Sequence, residues 1–375
     1  MKKDTQCVHS GTYRDEETRG VNTPVYTSSS FEYLDREYTV YPRYFNTPNQ
    51  RAVVNKLCAL ENAEDGLIFS SGMAAISTVL LTFLSSGDHA VLQEDIYGGT
   101  HHFVTADFKR FGIDYTFVSN NAEDIEKAIT ENTRIIFIES PSNPLLKITD
   151  IRAVAKTARM RKIITVIDNT FATPINQNPL DMGIDIVIHS GTKYLGGHSD
   201  ICCGAVVSKK SFIEKTRSSA TNFGGSLNAY ACSLLERSMK TLGIRVEKQC
   251  SNAQQIAESL QNNPKVRKVY YPGLKNHPGH DTAKSQMKGF GAIVSFEVDE
   301  KKTEPSEFVR RLQLIKPAVS LGGVESIICS PAATSHEKLS NEERAGLGIT
   351  DTLFRLSVGI EDCADLLADI EEALG

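Results

Sequence analysis

No apolar run in this chain approaches the ~20 residues needed to cross a bilayer, and Met1-Lys2-Lys3-Asp4-Thr5 is not followed by an apolar signal core. A membrane span and an export signal are therefore not expected. The eight cysteines (Cys7, Cys58, Cys202, Cys203, Cys232, Cys250, Cys329 and Cys363) form no C-x-x-C pair and no zinc spacing. A disulfide scaffold and a zinc site lose their support, and a reduced, cytoplasmic setting is expected. Cys202 and Cys203 cannot easily bridge, and beside Gly204-Ala205-Val206-Val207 they read as small core residues. There is no basic tail: the net charge of -5 is modest and both signs are spread along the chain, which leaves no footprint for nucleic acid. Internal repeats and low-complexity linkers are missing as well. His101 and His102 are adjacent, so their side chains point apart in regular structure and make a poor metal pair.

What is present is enough chain, 375 residues with 40% hydrophobic content, for a substantial core and two domains. Residues 1–45 are polar, with Thr, Ser, Tyr and Pro and little helical period, and read as an extended arm. From 46 to 232, apolar runs at Ala90-Val91-Leu92, Ile135 to Ile138, Ile163 to Ile167, Ile186 to Ile188 and Ala205 to Val207 alternate with helical segments. That pattern predicts an α/β unit with a mostly parallel central sheet covered by helices. A long helix from about Tyr230 to Leu260 leads into residues 233–375. There, strand signals at Val266 to Tyr271, Gly291 to Phe296 and Thr352 to Val358 predict a smaller α/β domain.

Three motifs carry chemistry. In His189-Ser190-Gly191-Thr192-Lys193, a lysine sits among hydroxyls and glycine just after the run Asp185 to Ile188, as at the carboxyl end of a parallel strand where ligands collect. Ser190 and Thr192 could hold a phosphate while Lys193 bonds an aldehyde, the combination that pyridoxal phosphate (PLP) requires. Alone, the string is equally a solvated loop lysine. Asp168 ends the preceding apolar run, where a carboxylate can keep the cofactor's ring nitrogen protonated; the plainer reading is a turn former. Ser71, Gly72 and Met73 open an apolar helical segment, and unpaired N–H groups at such a start suit a phosphate as well as a serine cap.

With these motifs in this order, the chain resembles the Cys/Met metabolism, or transsulfuration, family of fold-type-I PLP-dependent enzymes, which includes the cystathionine lyases and synthases and methionine gamma-lyase. The resemblance runs from Thr23-Pro24-Val25-Tyr26 to Leu356-Ser357-Val358-Gly359-Ile360-Glu361-Asp362. It implies the PLP-dependent transferase-like fold and assigns Lys193 as the Schiff-base lysine, Asp168 as the partner of the ring nitrogen, and Ser190, Thr192, Ser71, Gly72 and Met73 as the phosphate cradle. Tyr97, in Tyr97-Gly98-Gly99-Thr100, would stack on the ring and could serve as an acid for the leaving sulfur. Asn143, in Ser140-Pro141-Ser142-Asn143-Pro144, would lie near the ring hydroxyl. Tyr41 and Arg43 of the arm would reach the phosphate in a neighbouring subunit, implying a dimer at minimum, with a homotetramer built from dimers that share active sites as the expected assembly. Arg355, with Ser320 and Asn143, would hold the substrate.

The activity implied is a carbon–sulfur lyase for cystathionine or related sulfur amino acids, giving a thiol, a 2-oxo acid and ammonia. The alternatives are gamma-replacement on an activated homoserine ester and, outside catalysis, a PLP-binding regulatory protein. Beta- and gamma-cleavage, the physiological substrate, and dimer against tetramer stay open. Three departures bear on substrate choice. Gly99 stands where methionine gamma-lyases typically have Cys, Val319 where a Glu often precedes Ser320-Leu321-Gly322, and His102 where an Arg is common; His102 is expected at the rim of the site or in solvent.

Overall fold

The computed structural model describes residues 1–334 and 341–375. Seven strands form the larger sheet: β1 (Asp65–Phe69), β2 (His89–Gln93), β3 (Asp114–Val118), β4 (Thr133–Glu139), β5 (Ile164–Asp168), β6 (Ile186–Ser190) and β7 (Gly204–Ser208), in the order β1-β7-β6-β5-β4-β2-β3. β7 alone runs against the rest, pairing antiparallel with both β1 and β6. The apolar runs at 90–92, 135–138, 186–188 and 205–207 lie in these strands, and the run 163–167 does so from Ile164 on. β3 escapes the sequence pattern because it is an edge strand with two exposed residues, Asp114 and Tyr115, and no continuous apolar run.

Alternation along the strands splits the core in two. Ile136, Ile138, Ile167, Val187 and Val207 face one layer, and Ile135, Phe137, Val166, Ile186, Ile188 and Val206 face the other, so helices cover both sides of the sheet. On one side α2 (Pro48–Glu61) starts with a Thr47–Gln50 capping box and Pro48 in its first turn. α3 (Gly72–Phe83) starts at Ser71, whose Oγ accepts the Ala74 N–H at 3.0 Å.

The polar first 45 residues are not wholly extended: α1 (Lys3–His9) forms at their start. It is clamped by the buried Lys56 of α2, whose Nζ donates to the Cys7 carbonyl at 2.9 Å. A long-range bond of this kind leaves no local period to read. The expected helix from Tyr230 to Leu260 is two helices, Ala229–Met239 and Leu242–Asn262. At the break, the Ser238 carbonyl accepts from both the Thr241 hydroxyl (3.1 Å) and the buried Arg245 guanidinium (2.9 Å). The same guanidinium donates to the Tyr194 carbonyl at 2.9 Å, so the break pins the backbone next to Lys193.

The second sheet contains β8 (Val266–Tyr270), β9 (Ile293–Val298), β10 (Lys316–Pro317), β11 (Ile327–Cys329) and β12 (Leu353–Ser357), in the order β10-β11-β12-β9-β8. It is antiparallel except for the β10–β11 pair. The first core layer is continuous with this sheet through residues such as Val294, Phe296, Phe354 and Leu356. No helix among the described residues is long and apolar enough to cross a membrane.

Candidate active site

Three neighbouring strand ends build the floor of a cavity of about 570 Å³. β4 ends at Glu139, β5 at Asp168 and β6 at Ser190, and Glu139 and Asp168 are direct register partners. The loops beyond these strands bring in Asn143, Thr170, Phe171, Thr192 and Lys193, while α3 contributes Ser71, Gly72 and Met73. β12 and the loop before β11 add Arg355, Val319, Ser320 and Leu321. Sites at the carboxyl ends of parallel strands are the rule for such sheets, and this size suits a cofactor with its substrate.

Asp168 is 7% exposed. Its Oδ1 accepts the Thr170 N–H at 3.0 Å and the Thr170 hydroxyl at 2.5 Å. Burial pushes this carboxyl up, while the Thr170 donors and Lys193 pull the other way by favouring the anion. Lys193 Nζ donates to Ser320 Oγ at 2.6 Å. Burial, helped by the Arg355 charge, lowers the Lys193 ammonium to about 8, so an amine that ordinarily stays protonated is partly neutral near neutrality. Ser320 has a φ of +87°, a left-handed conformation uncommon for a residue with a side chain, and this conformation accompanies its contact with Lys193. Gly322, at φ +79°, packs so close to Lys193 and Tyr194 that a Cβ there would lie 2.7 Å from the Tyr194 nitrogen.

Arg355 is only 5% exposed. One NH group donates to Asn143 Oδ1 at 2.9 Å and the other to the Ser320 carbonyl at 3.0 Å, but its Nε is buried without a partner. A buried guanidinium with unspent donor capacity beside a cavity is built to receive a carboxylate.

The residues present also fit a phosphate-bearing ring. The first N–H groups of α3 have no partner within their own helix, and Gly72 lies so close to Ser190 that a Cβ would sit 3.0 Å from that residue's Cβ. Gly204 of β7 allows the same close approach from behind: a Cβ there would fall 2.1 Å from the Ser71 carbonyl oxygen. The Thr192 hydroxyl donates to the Cys203 carbonyl at 3.1 Å and accepts its N–H at 3.0 Å, tying the Lys193 loop to the start of β7. Tyr97 lines the cavity at the N-terminus of α4 (Gly98–Asp107). Gly99 lies directly under that ring, where a Cβ would be 2.5 Å from Tyr97 Cε1.

Lys193, Asp168, Tyr97, Asn143, Ser71, Gly72, Met73, Ser190, Thr192, Ser320 and Arg355 thus meet at one cavity. Tyr41 and Arg43 do not: both are exposed and outside its walls, and an Arg43 NH group donates to the Thr221 carbonyl at 2.6 Å. His102 is exposed on α4 and is not in the wall either. Cys203 is buried as expected, but Cys202 is not a core residue; it is exposed and lines the cavity, because β7 begins only at Gly204. Glu139 and Thr170 are wall residues that the sequence reading did not single out. Glu139 was accessible to it, since this acid ends the run Ile135 to Ile138 as Asp168 ends Ile163 to Ile167.

A family model described as Cys/Met metabolism PLP-dependent enzyme matches residues 4–375. The chain is 46% identical to cystathionine gamma-lyase of Bacillus subtilis (strain 168), covering 100% of this chain and 99% of that one. It is 45% identical to a cystathionine beta-lyase of the same organism, over 99% and 96% of the two chains. The crystal structure of cystathionine gamma-lyase from Lactobacillus plantarum complexed with L-serine superposes with a TM-score of 0.96 at 42% identity, covering 100% and 98%. The fold, the lysine at the strand end and the match across nearly its whole length make one conclusion: the chain belongs to the Cys/Met metabolism family of PLP-dependent enzymes.

Proposed function

We propose that this enzyme is a carbon–sulfur lyase that splits L-cystathionine or a related sulfur amino acid by β- or γ-elimination, releasing a thiol, a 2-oxo acid and ammonia. The observation that carries this reading is the convergence of Lys193, Asp168 and the incompletely bonded Arg355 on one cavity.

When bound, PLP supplies an aldehyde for the substrate amine and a ring that takes up the charge left at the α carbon. The protein does the rest. The α3 N-terminus, with Gly72, Met73, Ser190 and Thr192, would hold the phosphate, and Asp168 would keep a proton on the ring nitrogen. Lys193 Nζ would bond the cofactor's aldehyde and would take the substrate's α proton; its value near 8 suits a base at neutral pH. Ser320 Oγ, 2.6 Å away, fixes where that nitrogen points. Arg355 pairs with the α-carboxylate and so orients the bond to be broken. Tyr97, in the cavity wall, would cover the ring, and its hydroxyl is the candidate proton donor to the departing sulfur.

Val319, 69% exposed at the cavity mouth, leaves that part of the rim without a charge for the distal end of the substrate. Near-equal identity to a γ-lyase and a β-lyase gives no preference between the two cleavages. Homotetramers built from dimers that share active sites are our reading of the assembly, supported by the exposed Tyr41 and Arg43 and by an arm that leaves Val21, Tyr33 and Leu34 in solvent. A cytoplasmic setting is supported by eight free cysteines. Release of free thiol from L-cystathionine by the PLP-loaded protein tests the lyase reading; a requirement for an activated homoserine ester and an added thiol would replace it with a gamma-replacement synthase.

A further inference from the structure

Among the described residues, Glu139 is the one buried carboxyl in the cavity wall to which the reaction above gives no task. It is 3% exposed, and it stands side by side with Asp168 because the parallel register of β4 and β5 pairs the two residues directly and sends both side chains to the same face. Neighbouring carboxyls shielded from water each disfavour the other's ionised form, and the one with fewer donors holds its proton more tightly. Asp168 has two donors from Thr170. Glu139 Oε2 has one, the Tyr97 N–H at 2.8 Å.

The surrounding charges point the same way. From the loop after β2, Asp95, held by Ser142 Oγ at 2.5 Å, Gln93 Nε2 at 2.8 Å and Lys147 Nζ at 3.7 Å, adds repulsion to Glu139. His189 of β6 is occupied by Glu61 at 2.6 Å. On the cationic side, Lys193 donates to Ser320, and Arg355 of β12, whose charge favours the Glu139 anion, donates to Asn143 and the Ser320 carbonyl. Burial and the Asp168 charge accordingly push the Glu139 carboxyl well above the usual glutamate range, against the weaker pull of Tyr97 N–H and Arg355.

We propose that Glu139 is a positioning residue that keeps its proton in the working enzyme, so that the floor of the site carries a single negative charge, on Asp168, while its carboxyl oxygen fixes the Tyr97 backbone and with it the ring that covers the cofactor. This rests on the PLP site described above, but its first readout does not depend on turnover. In the holoenzyme near pH 8, the infrared difference between the wild type and Glu139→Gln shows the C=O stretch of a protonated carboxylic acid lost in the variant. Absence of that band, or appearance of a carboxylate band in its place, overturns the proposal whatever the protein does to cystathionine.

The second readout compares variants. Glu139→Gln keeps a neutral side chain and an acceptor for the Tyr97 N–H, so kcat/KM stays within about threefold of the wild type, less than a lost hydrogen bond would cost. The pH midpoint of the cofactor absorbance band also stays in place. Glu139→Ala loses the acceptor, and kcat falls about tenfold with PLP still bound and the cofactor's circular dichroism altered. A shift of about one pH unit or more in Glu139→Gln would show that a charge had been removed and would overturn the assignment. So would equal activity in Gln and Ala, because the Tyr97 contact would then have no effect.

Discussion

At the scale of single residues, the site is a set of groups held away from their ordinary states. Lys193 is lowered to about 8 by burial and by Arg355, so its neutral, nucleophilic form grows as pH rises and is mostly complete just above that value. Capture of PLP by the cofactor-free enzyme is therefore expected to be half-maximal near pH 8 and to level off about one unit above it, as measured by stopped-flow absorbance. Continued acceleration beyond pH 9.5 or so would place the amine nearer the ordinary lysine value. Lys193→Ala is expected to lose turnover by about 10²–10⁴-fold, the usual worth of a positioned base. Ser320 shows the opposing demands of stability and function. Its φ of +87° makes a side chain costly there, so Ser320→Gly should raise unfolding stability by about 1 kcal/mol while lowering kcat through loss of the Lys193 contact. A stability unchanged or lowered in denaturant titrations would remove the strain argument.

At the scale of elements, the strand ends and the start of α3 were legible because fully buried parallel strands leave continuous apolar runs that stop at the site: Asp168 and Ser190 could be placed from such runs alone. Arg355 and Ser320 could not, since Arg355 is 212 residues from its partner Asn143 and only the packing of the second sheet brings them together. The Tyr41–Arg43 segment was legible only through resemblance, and in a single chain it lies apart from the cavity. Cys202 was misplaced because the apolar pattern does not show that β7 starts two residues later. Glycine contacts set two expectations for these elements. Gly204→Ala would drive a Cβ to within 2.1 Å of the Ser71 carbonyl, and overpacking of that sort should weaken PLP affinity about tenfold or more, measured by fluorescence titration. Gly99→Cys would push on the Tyr97 ring and should reduce cystathionine turnover more than it reduces cofactor binding; equal loss of both would mean that Tyr97 acts only as a PLP contact.

At the scale of the whole molecule, two sheets joined by one apolar core bring β12 against the strand ends of the larger sheet, so Arg355 reaches the cavity from the second sheet and Lys193 from the loop after β6 of the first. The arm supplies a test of shared sites. In a mixed dimer of one Lys193→Ala subunit and one Arg43→Ala subunit, a site built from both chains has one intact copy, so activity should return to a clear fraction of the wild type although each variant alone is impaired. No recovery in co-expressed, doubly tagged dimers would assign Arg43 to its own subunit or to no site. The most direct test of the central claim is to supply the purified, PLP-loaded enzyme with L-cystathionine and identify the products by chromatography. The account predicts a thiol and a 2-oxo acid in equal amounts, homocysteine with pyruvate or cysteine with 2-oxobutyrate, both lost in Lys193→Ala. No 2-oxo acid, or undiminished product from Lys193→Ala, would contradict it.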